Sequence, residues 1–297
     1  MKETILHIAG HYLQVEAGER LAANYDPFRA VSVADGEAVI CWITCGEISF
    51  PEGTPCETSC LDRTEKLSVG RTPDGGYLVT VHVWQGACYR MYAAADWSRV
   101  VMDLRCMEPD CPLSVVNKFL MLSFIYASAR RQTVLLHASC VKRGNGGVAF
   151  IGHSGAGKST HSRLWLQHIA GTCLLNDDQP AVRVEADGTI RVYGTPWSGK
   201  THCYRAESAL LKGVFRMVQA PHNRLIPLQP VYLFRELLSS CSMMKSDPVT
   251  FRLITSTLAK ISSQVPGFLF ENLPERDAAM MAFSRIIRII ITMWILR

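Results

Sequence analysis

The sequence predicts an α/β protein in two parts: a smaller β-rich N-terminal domain over residues 1–112 and a mixed-sheet domain over residues 113–297. Three observations carry that expectation. The first 110 residues hold short strand-like runs between proline- and glycine-rich turns. From Thr133 onward, apolar strand-like segments alternate with a helix-like one, the order expected of a layered α/β sheet. Finally, Gly147–Ile151, Gly152–Ser159 and Lys158–Ala170 read in succession as strand, glycine-rich loop and helix. At 297 residues the chain has the length of roughly two domains.

In the N-terminal part, Val39–Thr44, Tyr77–Trp84 and Cys88–Tyr92 have the β-branched and aromatic content of strands. Turns are expected at Pro51–Pro55 and at Pro73–Gly76, where aspartate-glycine tolerates positive φ and suits a hairpin. No catalytic constellation is visible there. Val115–Arg130 reads as a helix, with Pro112 near its start and Arg130-Arg131 at its end. Its stretch Phe119–Ala127 is apolar on nearly every side, so burial between layers is expected at the junction with the second domain.

Composition narrows the function classes. Hydrophobic residues make up 48% and charged residues 19%, enough for a core and too ordered a mixture for wholesale disorder. A net charge of +5 suits anionic substrates but is too small and dispersed to argue for nucleic acid. Charge and histidine occupy the first residues, Met1–His7, where a signal peptide needs an apolar core, so a cytoplasmic location is the expectation. The eleven cysteines include two CxxxC pairs, Cys41/Cys45 and Cys56/Cys60; the first lies in an apolar strand, which favours buried thiols over zinc. The apolar tail Ile286–Leu296 is broken by Arg288 and is shorter than the ~20 residues of a membrane span. A core strand or helix is expected there, with a basic amphipathic surface anchor as the alternative.

The chemistry concentrates in the second part. Gly152-His-Ser-Gly-Ala-Gly-Lys-Ser159 matches GxxxxGK[ST], a loop that turns backbone N–H groups and a helix N-terminus towards one anion. Gly155 and Gly157 let the backbone close around phosphate. Lys158 is placed to reach the β- and γ-phosphates of ATP, and the Ser159 hydroxyl to hold Mg2+. Gly152, Ser154, Ala156 and Thr160 complete the expected nucleotide contacts. Asn176-Asp177-Asp178 follows the strand-like Thr172–Leu175, where α/β sheets place ligand contacts. Two adjacent carboxylates allow one to orient the metal while the other takes a hydroxyl proton, although Asn-Asp-Asp also suits a plain polar turn. His137 ends the strand-like Val134–Leu136, where a core histidine bonded to a backbone carbonyl is the alternative to a site residue.

A second stretch, Gly194-Thr-Pro-Trp-Ser-Gly-Lys-Thr201, matches the same pattern. Pro196 removes an N–H donor and Trp197 adds bulk, so this stretch is not expected to cradle phosphate. It is expected to face the same site, with Lys200 as a point charge for phosphate or an acidic substrate.

Leu135-Leu-His-Ala138, the loop with His161-Ser-Arg-Leu-Trp165, and Leu175-Asn-Asp-Asp178 resemble, in order, the C-terminal catalytic domain of HPr kinase/phosphorylase. Tyr193–Thr201 strengthens the likeness to HPr-kinase-like serine kinases. The resemblance runs from about Leu135 to Leu233; residues 1–130 lack the N-terminal pattern of the HPr-sensing enzymes. It implies a phosphoenolpyruvate-carboxykinase-like nucleotide fold, with His137 in the active site and the aspartate pair in catalysis: Asp177 as base, Asp178 on the metal side. Thr160 stands where those enzymes have glutamate, and His153 where they usually have an acid.

The expected activity is therefore an ATP- and Mg2+-dependent kinase acting on a hydroxyl of a protein, peptide or small molecule. A nucleotide hydrolase or switch, and a non-catalytic peptide-binding module, are the alternatives. No nucleic-acid partner and no membrane span are expected, and a homo-oligomer is left open.

Overall fold

The computed structural model describes residues 3–16, 21–47, 54–60, 65–83, 88–103, 113–199, 201–245 and 247–295. The chain is a mixed α/β protein with two nine-stranded sheets. It divides into two compact units: Met1–Arg131 with Met243–Phe251, and Gln132–Ser242 with Arg252–Arg297.

The first unit holds β1 (Thr4–Ile8), β2 (His11–Val15), β3 (Arg29–Ala30), β4 (Val39–Gly46), β5 (Thr54–Cys60), β6 (Glu65–Arg71), β7 (Tyr77–Val83), β8 (Cys88–Ala93), β9 (Arg99–Asp103) and helix α1 (Leu113–Ala129). The sheet order is β3-β1-β2-β4-β9-β8-β7-β6-β5. β4 pairs parallel with both β2 and β9. In β4, Cys41 and Ile43 are buried while Trp42 between them is exposed, the alternation of a half-buried strand. Burial, with a smaller contribution from the charge of Asp96, pushes the Cys41 thiol up to about 12. The side chains of Cys56 and Cys60 lie outside the described residues. The β6–β7 hairpin closes at Thr72–Gly76, with Gly75 at φ +82° and Asp74 accepting from the Gly76 N–H.

Two sequence expectations shift here. Thr54 and Pro55 open β5 instead of closing a turn, because they pair with Arg71 and Gly70; residues 51–53, like Pro112 and Trp84 beyond β7, lie outside the described residues. Helix α1 falls in the first unit, whose division from the second comes at Arg131/Gln132 and not at 112/113. The reason is packing: α1 lies against β4 and β8, with Phe119 and Phe124 fully buried and the Ser123 hydroxyl 3.7 Å from the Met91 sulfur. The returning segment brings Asp247, which accepts from Arg71 at 2.7 Å and from the Tyr77 hydroxyl at 2.8 Å.

The second unit holds β10 (Thr133–Leu135), β11 (Ala138–Arg143), β12 (Gly146–Ile151), α2 (Lys158–His168), β13 (Thr172–Asp178), β14 (Ala181–Val184), β15 (Ile190–Tyr193), β16 (Ser208–Gln219), β17 (Arg224–Leu228), α3 (Pro230–Ser240) and β18 (Gly267–Asn272). It is completed by α5 (Arg276–Ile295), while α4 (Pro248–Gln264) begins in the first unit and continues in the second. The sheet runs β10-β14-β15-β16-β12-β11-β13, with β18 also beside β16 and β17 beside β18. β12, β16 and β18 are parallel; the remaining pairings are antiparallel. Phe150, Phe215, Phe268, Phe270 and Trp165 form the aromatic centre of its core.

Gly144-Asn145 forms the turn between β11 and β12, since Arg143 pairs with Gly146 and Lys142 with Gly147. On α2, the buried face is His161, Ser162 and Trp165, continued by Ile169, whereas Leu166 is 40% exposed and does not share it. The apolar tail is helical as far as Ile295: α5 buries Ala278, Ala279, Ala282 and Ile286, one face of the helix, in the same core. Among the described residues, no helix is long and apolar enough to cross a membrane.

Candidate functional site

Strand direction brings the chemistry-bearing residues to one edge. β12 ends at Ile151, immediately before the glycine loop. β11 pairs antiparallel with β12 on one side and with β13 on the other, so β12 and β13 run in the same direction. Ala138 consequently sits opposite both Ile151 and Asp178, and Ser139 opposite Asp177. The start of β11, the end of β13 and the loop after β12 thus share the carboxyl edge of the parallel strands, the usual ligand edge of such sheets. They line one cleft of about 380 Å³ that includes His137, Ser139, Ser154–Thr160, Arg163, Asp177, Asp178, Gly199 and Gln219.

The loop from Gly152 to Gly157 wraps the N-terminus of α2. Gly155 and Gly157 adopt φ +80° and +95°, values that a Cβ disfavours, and Gly157 is the residue that caps the helix. No side chain caps α2, so its first N–H groups face the loop. The Lys158 ammonium donates to the carbonyls of Gly152 at 2.9 Å and His153 at 3.3 Å. Burial lowers its pKa from the usual lysine value, an effect opposed by the carboxylates of Asp178 and Asp177. Gln219, at the end of β16, donates to the Gly155 carbonyl at 2.9 Å and steadies the loop from the other side.

The acidic pair belongs to β13 itself and does not follow it as a turn: ladder pairing with β11 continues through Asp178. Alternation along the strand separates the two carboxylates. Asp177 is buried and accepts from the Ser139 hydroxyl at 2.7 Å. Ser139 and Ser162 oxygens are also 2.7 Å apart. With the Ser139 proton committed to the carboxylate, Ser162 donates that second bond, linking α2 to Asp177. Asp178 is about one-third exposed, and its Oδ1 lies 3.0 Å from Nδ1 of His137. His137 is half-exposed at the cleft, not a core histidine; its backbone N–H bonds the Ser240 carbonyl.

Asn176 organises the second glycine stretch. Its buried carboxamide donates towards the Thr195 and Trp197 carbonyls and the Thr195 hydroxyl, and its oxygen accepts from the N–H groups of Asp178 and Gln179. Gly199 adds an N–H bond to the Asp177 carbonyl at 3.3 Å. Trp197 and Thr195 are buried, so this stretch is sealed against β13, with Gly199 and Thr201 at the cleft. Lys200 lies outside the described residues.

Sequence reasoning did not single out Ser139, Ser162, Arg163, Gln219 or the bracing role of Asn176. A strand reading of Ala138–Arg143 would have found Ser139, since period-two alternation turns it towards the face of Asp177. Cys140 is fully buried, and desolvation followed by the nearby Asp177 charge raises its thiol well above the ordinary value, which makes it inert as a nucleophile. Among the described residues, no group of three or more His, Cys, Asp and Glu side chains is placed to hold a metal. A cation here would rely on the Ser159 hydroxyl, Asp178 and ligand oxygens, a hard donor set that fits magnesium.

The fold and site are those of a mixed α/β protein with a glycine loop facing paired carboxylates. No family model and no curated protein sequence matches the chain. Among solved structures it is similar to the HPr(Ser) kinase/phosphatase from Coxiella burnetii, with 14% identity and a TM-score of 0.33, over 54% of this chain and 92% of that one.

Proposed function

We propose that the chain is an ATP-dependent kinase that transfers the γ-phosphoryl group to a hydroxyl of a protein, peptide or small molecule. One observation carries this reading: the register of β11 between β12 and β13 sets Asp177, Asp178 and His137 at the mouth of the loop Gly152–Ser159. That arrangement supports phosphate binding and proton removal within one cleft.

In this reading the loop N–H groups and the α2 N-terminus hold the β- and γ-phosphates, and Lys158 leaves its loop carbonyls to neutralise them. The acceptor oxygen bonds to the γ-phosphorus as the bridging P–O bond to the β-phosphate breaks, and the nucleoside diphosphate leaves with that electron pair. Asp177 takes the hydroxyl proton; its link to Ser139 and Ser162 fixes the carboxylate against α2, so base and phosphate loop keep a constant separation. His137 orients Asp178, which with Ser159 would hold magnesium. Bound there, the ion would supply charge neutralisation for the phosphates. Lys200, expected beside Gly199 and Thr201, supplies a further cation for the acceptor.

The test is phosphate release from ATP by the full chain, with and without candidate hydroxyl acceptors. Acceptor-dependent transfer supports the kinase. Release to water alone, unchanged by every acceptor, identifies a hydrolase or switch, and failure to bind ATP leaves a binding module.

A further inference from the structure

A second cleft, of about 440 Å³, lies beside the first, where β16 and β18 end. The two share Ala156, Gly157, Thr160 and Gln219, so the start of α2 is their common wall. Leu164, Pro221, Leu273 and Pro274 give the second cleft apolar surfaces, and His161 and Asn272 are its buried polar residues. Its volume falls within the ~300–1,000 Å³ of small-molecule sites.

His161 is only 1% exposed, and neither ring nitrogen has a hydrogen-bond partner. It stands edge-on to Phe150 and Phe270, with ring centroids 4.8 and 5.0 Å away. Phenylalanine would fill such a site without two orphaned polar atoms, whose burial without partners is unfavourable. Packing alone therefore gives no reason for histidine here; a ligand at the cleft it lines does. Asn272 donates its amide to the carbonyls of Val218 and Phe270, both at 3.1 Å, which leaves its side-chain oxygen as an acceptor.

We infer that this second cleft takes the nucleoside of the triphosphate, with the base between the apolar walls and its polar edge meeting His161 and Asn272. The inference rests on the proposed seating of the triphosphate in the glycine loop. Direction follows from what lines each cleft: His137, Asp177 and Asp178 border only the first, so the γ-phosphate end faces them. The opposite end of the nucleotide leaves past Thr160 along α2, and the second cleft lies on that side.

Calorimetric titration of the full chain with ATP and, separately, with inorganic tripolyphosphate, both with magnesium, tests it. The wild-type chain is expected to prefer ATP by at least about tenfold, or about 1.4 kcal/mol. Ala220→Trp, which fills the cleft from its rim, and His161→Phe, which removes the polar edge while keeping ring packing, should each reduce that preference. Tripolyphosphate affinity should stay within about threefold, which also reports an intact loop. Equal wild-type affinity for the two ligands, or an undiminished ATP preference in both variants, overturns the nucleoside site and leaves the phosphate site standing. If Ala220→Trp loses both ligands, His161→Phe decides: unchanged ATP affinity there overturns the inference. A wild-type chain that binds neither ligand overturns both readings.

Discussion

Replacing Asn176 with alanine should damage the second unit more than its size suggests. Asn176 is fully buried, and its carboxamide bonds two backbone carbonyls and two backbone N–H groups. The N–H groups belong to half-buried Asp178 and Gln179 and can find water after truncation. The carbonyls belong to Thr195 and Trp197, buried at 0% and 4% exposure, and cannot readily do so. Without the carboxamide the Thr195 carbonyl is orphaned, and the Trp197 carbonyl keeps only the Thr195 hydroxyl at 3.2 Å. One to two unsatisfied groups at about 1–3 kcal/mol each give an expected loss of about 1–6 kcal/mol, set against the ~5–15 kcal/mol that ordinarily stabilises a protein. Asn176→Asp keeps the acceptor for Asp178 and Gln179 but turns a carboxylate towards three oxygens, so it should cost more than alanine. Urea denaturation gives the magnitude, with hydrogen exchange of β13 and residues 195–199 as the local readout. An alanine variant within about 1 kcal/mol of wild type, or an aspartate variant as stable as asparagine, would refute the bracing argument.

The remaining predictions concern the cleft. Lys158→Ala should keep the fold and lose most ATP affinity by calorimetry; unchanged affinity in a folded variant removes Lys158 from phosphate binding. Asp177→Asn should slow transfer by about 10²–10⁴-fold with ATP affinity little changed, whereas Asp178→Asn should raise the magnesium concentration needed for half-maximal rate. If Asp177→Asn is the magnesium-sensitive variant, the two roles exchange; if neither slows transfer, the mechanism fails. Lys200→Ala should leave ATP affinity within a few-fold and weaken turnover or acceptor binding, and loss of ATP binding instead would mean that the second glycine stretch holds phosphate.

Local signals were legible where a short window contains its own reason. The glycine loop is one such case: positive φ at Gly155 and Gly157, followed by helix, follows from residue type and spacing. The strands β10 and β12 and the helix α1 announce themselves by apolar runs and terminal residues. β11 escaped because burial on both faces over Ala138–Val141 erases the period-two pattern. The fate of Thr54 and Pro55 was illegible for a related reason: strand pairing with a distant segment overrode their turn chemistry.

The sequence by itself determined which residue types are present: a glycine loop, a lysine at a helix start, a carboxylate pair and a histidine, each defined by side-chain type within a few residues. Only tertiary structure decided that they meet. His137 and Asp178 are forty-one positions apart and come within 3.0 Å because β11 reads two partners at once, aligning Ala138 with Ile151 and with Asp178. The same pairing turns Ser139 onto Asp177 and divides the carboxylates into a buried and an exposed member. Register is a property of neighbouring strands, and a one-residue slip would send each side chain to the opposite face.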